Sequence, residues 1–69
     1  MGGEIIFVAE EAEEGGYYAY ALGQAIVTQG DTDQELQANV REAVHGHFDE
    51  GERPAIIRIH YVRDVVIAG

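Results

Sequence analysis

Carboxylates make up most of the side chains in this 69-residue chain that could do chemistry. Thirteen Asp and Glu residues face four arginines and no lysine, a formal net charge of −9. Two groups of acids stand out: Glu10, Glu11, Glu13 and Glu14 precede Gly15-Gly16, and Asp31, Asp33 and Glu35 surround Thr32. Two-metal nuclease chemistry needs several carboxylates converging inside one site, and a degenerate nuclease would draw on Glu10 and Asp31. Yet the first apolar segment carries acids only at its ends, Glu4 and Glu10, and the segment 17–22 carries none. Thr32 with Glu35 three residues later has the spacing of a capping box, and Asp33 and Glu35 suit the positive end of a helix dipole. The acids at 11–14 with the glycine pair read as a solvated hairpin turn, or as a carboxylate cluster for a metal or a basic partner. The chain has no Ser and no Cys, so Thr28, Thr32 and the tyrosines are the remaining hydroxyl nucleophiles. A phosphate-binding loop with its lysine is ruled out. The chain is therefore expected not to be an enzyme and to need no cofactor.

His45 and His47 invite a metal reading. Two positions apart on a helix they point about 200° from each other, unlike an i, i+4 pair. With no cysteine nearby they read as helix-end residues meeting the dipole, with a subunit-bridging metal left open. Tyr17, Tyr18 and Tyr20 could stack nucleic-acid bases, but no basic residue lies among them. Phosphate-backbone affinity depends on Lys and Arg, so no direct nucleic-acid partner is expected, and an anionic membrane surface is disfavoured for the same reason. No apolar run approaches the roughly 18 residues of a spanning helix. Met1-Gly2-Gly3-Glu4 lacks the basic region of a signal peptide, and Ile6 stands where a myristoylation signal has Ser or Thr. The expected location is the cytoplasm.

The elements that hold these residues follow from periodicity. Glu4–Glu10 reads as a strand, with Ile5, Phe7 and Ala9 on one face and Ile6 and Val8 on the other. Two apolar faces imply cover on both sides, or cover on one and an interface on the other. Tyr17–Leu22 is a second strand, its faces Tyr18, Tyr20, Leu22 and Tyr17, Ala19, Ala21. Gln24–Gln29 is a third, completing a meander. Thr32 or Asp31 caps a helix from about Asp33 to Glu50, whose stripe is Leu36, Val40, Ala43, Val44 and Phe48. Gly51 suits the position after the helix and Pro54 cannot continue it. Ala55–Ala68 reads as one long strand, with Ile57, Ile59 and Tyr61 on one face and Ile56, Arg58 and His60 on the other. The alternation breaks at Val62-Arg63-Asp64, which suggests a bulge or bend. The expected fold is α+β, in the order β-β-β-α-β. It is a single domain over residues 1–69, an antiparallel sheet of three to four strands with one helix packed on one face. So short a chain buries only about 60% of its unfolded surface. Without cysteines to staple it, it needs good packing or a second copy.

Phe7-Val8 through Glu13-Glu14-Gly15-Gly16-Tyr17, then Val27-Thr28-Gln29-Gly30-Asp31-Thr32, then Glu35 with Asn39-Val40-Arg41-Glu42-Ala43, resemble the HicB antitoxin family over nearly the whole chain. The helix start is the most specific part. The resemblance implies a partial ribonuclease H-like fold and a non-catalytic protein that binds and blocks HicA, a small basic RNA-cleaving toxin. Full-length members usually add a C-terminal DNA-binding domain. This sequence shows no such segment before Gly69, so DNA binding and autorepression are not carried over.

Two surfaces are expected to bind. The acidic turn and the strand after it, Glu11, Glu13, Glu14 and Tyr17, are candidates for a basic partner. The end of the last strand, Val62, Val65, Val66 and Ile67, exceeds what a short sheet can cover and is a bare apolar edge unless another chain pairs with it. It is expected to make a dimer or higher oligomer. The alternative to the antitoxin reading is a structural or regulatory homo-oligomer that binds another protein or a small ligand.

Overall fold

A computed structural model describes residues 3–69. Met1 and Gly2, on which the leader and myristoylation readings bear, lie outside the described residues. The element order is β1 (Glu4–Glu11), β2 (Tyr17–Ala21), β3 (Val27–Gly30), α1 (Asp33–His47), a short 3-10 turn (Glu50–Glu52) and β4 (Ile56–Val62). The architecture is α+β, with four strands and one helix in the expected order. No helix among the described residues is long and apolar enough to cross a membrane.

The four strands form one sheet in the order β3-β2-β1-β4. The meander β1-β2-β3 is antiparallel throughout. The sequence led us to expect an antiparallel sheet; the fourth strand instead runs parallel to β1, from Glu4 opposite Ile56 to Glu10 opposite Val62, so the sheet is mixed. The cause is α1, a crossover connection that carries the chain from the end of β3 back to the start of β4, as parallel pairing requires.

Alternation sorts the side chains by face. Ile5, Phe7 and Ala9 of β1, Ala19 and Ala21 of β2, and Ile26 are buried against Leu36, Val40 and Val44 of α1. Tyr17, Ala43, Phe48, Ile57 and Ile59 flank this core, half-buried. The helical stripe is thus the one the sequence predicts. The helix ends at His47, three residues before the expected Glu50. Phe48 turns to an extended backbone (φ −111°, ψ 143°) while its N–H still donates to the Val44 carbonyl at 3.1 Å. Asp49, Glu50 and Glu52 follow, and acids are unfavourable at the negative end of a helix dipole. His45 and His47 occupy that last turn instead. Gly51 therefore lies in the 3-10 turn and does not cap α1. β3 begins at Val27, later than the expected Gln24. The loop after β2 passes through Gly23 with φ +83° and is closed by the Ala21 N–H donating to the Ile26 carbonyl at 3.0 Å.

β4 stops at Val62, where its ladder partner β1 also runs out. The broken alternation at Val62-Arg63-Asp64 marks the end of the strand and not a bulge within a longer one. Residues 63–69 carry no regular structure and are exposed.

Candidate functional site

The register gathers two acidic clusters at one end of the sheet, while a third, Asp49, Glu50 and Glu52, lies by the 3-10 turn at the other end. Glu11 lies opposite Tyr17, Tyr17 opposite Gly30, and Glu10 opposite Val62. The β1–β2 turn, the start of α1 and the end of β4 therefore share that end. Glu10, Glu11, Glu13 and Glu14 stand on one side, Asp31, Asp33 and Glu35 on the other, and Asp64 beyond β4. Arg63 is the cation among them; Arg41, Arg53 and Arg58 lie elsewhere on the helix, the following loop and mid-β4.

The turn is a real one. The Gly15 N–H donates to the Ala12 carbonyl and the Ala12 N–H to the Gly16 carbonyl, both at 3.0 Å. Glu13 and Glu14 project from it into solvent. At the helix start, the Glu35 N–H donates to Thr32 Oγ1 at 3.1 Å. Glu35 Oε1 in turn accepts the backbone N–H of Asp31 at 2.9 Å. This is a capping box displaced by one residue, since the usual acceptor pairing is with the N-cap's own N–H. Glu35 is thereby committed to structure. Asn39 Nδ2 donates to the Gln29 carbonyl at 2.7 Å and ties α1 to β3.

Tyr61 was not singled out from the sequence, and it is central here. Its hydroxyl donates to the Asp33 carboxylate. Gln37 Nε2 donates to the other carboxylate oxygen of Asp33 at 3.2 Å. The rings of Tyr17 and Tyr61 meet edge to face, centroids 6.3 Å apart at 89°. Tyr17 is thus half-buried on the helix-covered side of the sheet, unlike the solvated Glu11, Glu13 and Glu14. Burial, then the hydrogen bond to Asp33, holds the Tyr61 hydroxyl above its ordinary pKa. Two cavities meet at Tyr61. One, of about 410 Å³, is walled by Glu11, Tyr17, Asp33, Tyr61, Val62 and Arg63. The other, of about 280 Å³, runs between α1 and β4 beside Gln37, Val40, Arg41, Ile57, Ile59 and Tyr61. The signal for Tyr61 in the sequence was its shared face with Ile57 and Ile59; its contact with Asp33, 28 positions away, has no local signature.

The face opposite the helix is open. The register places Val27, Tyr20, Val8 and His60 in one row across all four strands. Ile6, Tyr18, Tyr20, Val27 and Ile56 on this face are exposed, and Arg58 pairs with Glu4 there. Of the residues expected to bind a second copy, Val62 ends β4, and Val65, Val66 and Ile67 are 71%, 93% and 81% exposed.

The His47 ring has another partner, and His45 is engaged through its backbone. The His45 carbonyl accepts from Arg53 Nη2 at 3.2 Å, and His47 Nε2 lies 3.2 Å from Gln24 Oε1 with its ring edge-on to Phe48. Among the described residues, no group of three or more His, Cys, Asp or Glu side chains is placed to hold a metal ion.

Two relatives are similar over most of their length. One is a UPF0150 protein of Thermotoga maritima, 46% identical over 65 residues, which are 94% of this chain and 91% of the relative. The other is a UPF0150 protein of Archaeoglobus fulgidus, 48% identical over 52 residues, 75% of this chain and 77% of the relative. No protein-family model and no solved structure matches the chain.

Proposed function

The chain belongs to the UPF0150 family, and on that premise we propose that it is a non-catalytic protein-interaction domain of the HicB antitoxin type. Its ligand is a small basic RNA-cleaving protein of the HicA type, received at the acidic end of the sheet. The observation that carries the reading is the collection, by strand register, of two of the chain's three carboxylate clusters at one end with a single arginine among them. Such a field steers a basic partner toward that end and speeds its encounter. The residues behind the HicB resemblance have fitting roles in the fold. Gly30 and Thr32 make the strand-to-helix junction, Glu35 caps it, and Asn39 binds β3.

The non-catalytic part of the proposal rests on how the acids are used. Glu35 is held by a backbone N–H, and Asp33 by Tyr61 and Gln37, while Glu13 and Glu14 point into solvent. Carboxylates so engaged do not converge on one reacting phosphate.

Co-expression with the small basic protein encoded by an adjacent gene tests the reading. The expected result is a complex that co-purifies at low salt and in which RNA cleavage is suppressed. A nuclease that remains unbound and fully active beside an excess of this chain overturns it. RNA cleavage by this chain alone with added Mg²⁺ or Mn²⁺, abolished on replacing Glu10 or Asp31, would overturn the non-catalytic part.

A further inference from the structure

We propose that two copies of this chain associate about a two-fold axis at Val62, each pairing its residues 56–68 antiparallel with those of the other. Val65 and Ile67 of each copy then close the groove between α1 and β4 of the second. The inference goes beyond the toxin-binding reading and does not depend on it.

Among the described residues β4 is an end strand, with its outer row of backbone N–H and C=O groups facing no further strand. On the helix side its Ile57 and Ile59 remain half-exposed along the groove that Val40 and Tyr61 also line. Residues 63–69 do not fill that groove in their own copy. The molecule is 51 Å along its longest axis, whereas seven-residue β4 and fifteen-residue α1 each span about 23 Å. The segment after Val62 thus carries the chain onward, past the end of its own sheet. Its Cα radius of gyration, 13.4 Å, also exceeds the roughly 11 Å of a compact chain this long. A second copy meets both needs at once, because an extended segment adds readily to a free sheet edge. In a two-fold arrangement the exchange is reciprocal.

The side chains select the axis. Directly opposed residues in an antiparallel pair share a face, so an axis at Val62 sets each residue against the one equally far beyond it. On the helix side Ile57 meets Ile67, Ile59 meets Val65, and Tyr61 meets Arg63. Val65 and Ile67, two residues apart, have the same spacing as Ile59 and Ile57. Arg63 already walls the aromatic, acidic cavity of Tyr61, Glu11 and Asp33 in its own copy, and the second copy's Arg63 is set opposite Tyr61 at its mouth. On the other side Asp64 meets His60, and Ile56 meets Ala68. Arg58 meets Val66 and keeps its own partner, Glu4. An axis at Tyr61 would instead press Arg63 onto Ile59 inside the groove, and one at Arg63 would set Asp64 against Val62. The paired segment itself is not acidic: residues 56–68 contain Arg58, Arg63 and Asp64 as their charged residues, although Glu10, Glu11 and Glu13 stand beside Val62.

The chain has no cysteine, so one introduced thiol reports its own neighbours. Light scattering across a chromatography peak of the native protein is expected to give twice the 7.5 kDa chain mass at micromolar concentration. Val62→Cys, on the axis, is expected to form a disulfide-linked dimer under mild oxidation. Val66→Cys, more exposed but eight positions from its own copy in this register, is expected to remain largely unlinked. Val66→Arg, set opposite Arg58, should weaken the dimer about tenfold, since like charges directly opposed repel in both symmetry-related pairs. Circular dichroism of each variant confirms that it folds. A native monomer overturns the association itself. A native dimer in which Val62→Cys links no faster than Val66→Cys overturns the axis and its register while leaving self-association standing.

Discussion

The Cβ that Gly30 lacks would lie 2.5 Å from the backbone nitrogen of Leu36 and 2.8 Å from its Cα. Gly30 closes β3 directly beneath the first turn of α1, so helix and sheet meet there backbone to backbone. Gly16, with φ +79°, passes the same point from the other side, its missing Cβ 2.9 Å from the Gly30 carbonyl. The three-way junction of turn, strand and helix is thus built on absent side chains. Gly30→Ala forces the helix off the sheet, and overpacking of this kind is worth about 1–3 kcal/mol or more. Urea unfolding of the variant is expected to show the midpoint moving by that amount.

Thr32 is a simpler test of the same junction. Its hydroxyl satisfies one helix N–H, that of Glu35. Thr32→Ala should lower stability by about 1 kcal/mol, and Thr32→Ser should restore most of it. A Thr32→Ala variant as stable as the parent would show that solvent replaces the cap without loss.

Tyr61 gives the fold an alkaline limit. Desolvation first, then the hydrogen bond to Asp33, raises its pKa above 10.0, with the hydrogen bond from Gln37 acting in the opposite direction. The folded state therefore holds the phenolic proton more tightly than the unfolded state. That stabilisation is complete below the unfolded value of about 10 and is lost as pH rises through the raised folded value. Thermal unfolding followed from neutral to strongly alkaline pH is expected to show a steeper decline for the parent than for Tyr61→Phe. Tyr18, raised by desolvation and then by Glu10, leaves part of the decline in the variant.

The acidic turn is predicted to govern how fast a basic partner arrives and much less how long it stays. Replacing Glu11, Glu13 and Glu14 together with lysine should slow association with the HicA-type partner about tenfold or more at low salt. The difference should shrink as salt approaches 0.5 M, where screening is strong. Stopped-flow binding at several ionic strengths reads this directly. An unchanged association rate would place the contact elsewhere on the molecule.

Much of this was legible where the physics is local. Leu36, Val40 and Val44 identify the buried face of α1, and alternation divides β1 into Ile5, Phe7, Ala9 and Ile6, Val8, although with both faces apolar it does not say which of them the helix covers. Thr32 and Glu35 mark the helix start three residues apart, and the acid-rich turn before Gly15-Gly16 marks the hairpin. The break at Val62-Arg63-Asp64 was visible too, but as a bulge or bend within a strand reaching Ala68, whereas the strand ends there at Val62. Distant relationships left no trace in the residues themselves. The parallel direction of β4 depends on where α1 delivers the chain, and an apolar strand reads the same in either direction. Tyr61 looks like one more residue in a strand until the fold sets it beside Asp33 and Tyr17. Glu35 showed the right spacing for its cap, yet its carboxylate reaches Asp31 and not Thr32, a choice made by the geometry of the preceding turn.

The parallel pairing of β1 with β4 also sets an order of events in folding. It joins the fourth residue of the chain to the fifty-sixth, the longest loop this molecule has to close, and such contacts slow folding because chain entropy is lost before they form. The meander and the helix that packs on it can assemble from neighbouring segments first. β1 then waits at an open edge until the crossover delivers β4 to it, and through that interval its unpaired backbone groups are the part of the folding chain most open to mispairing.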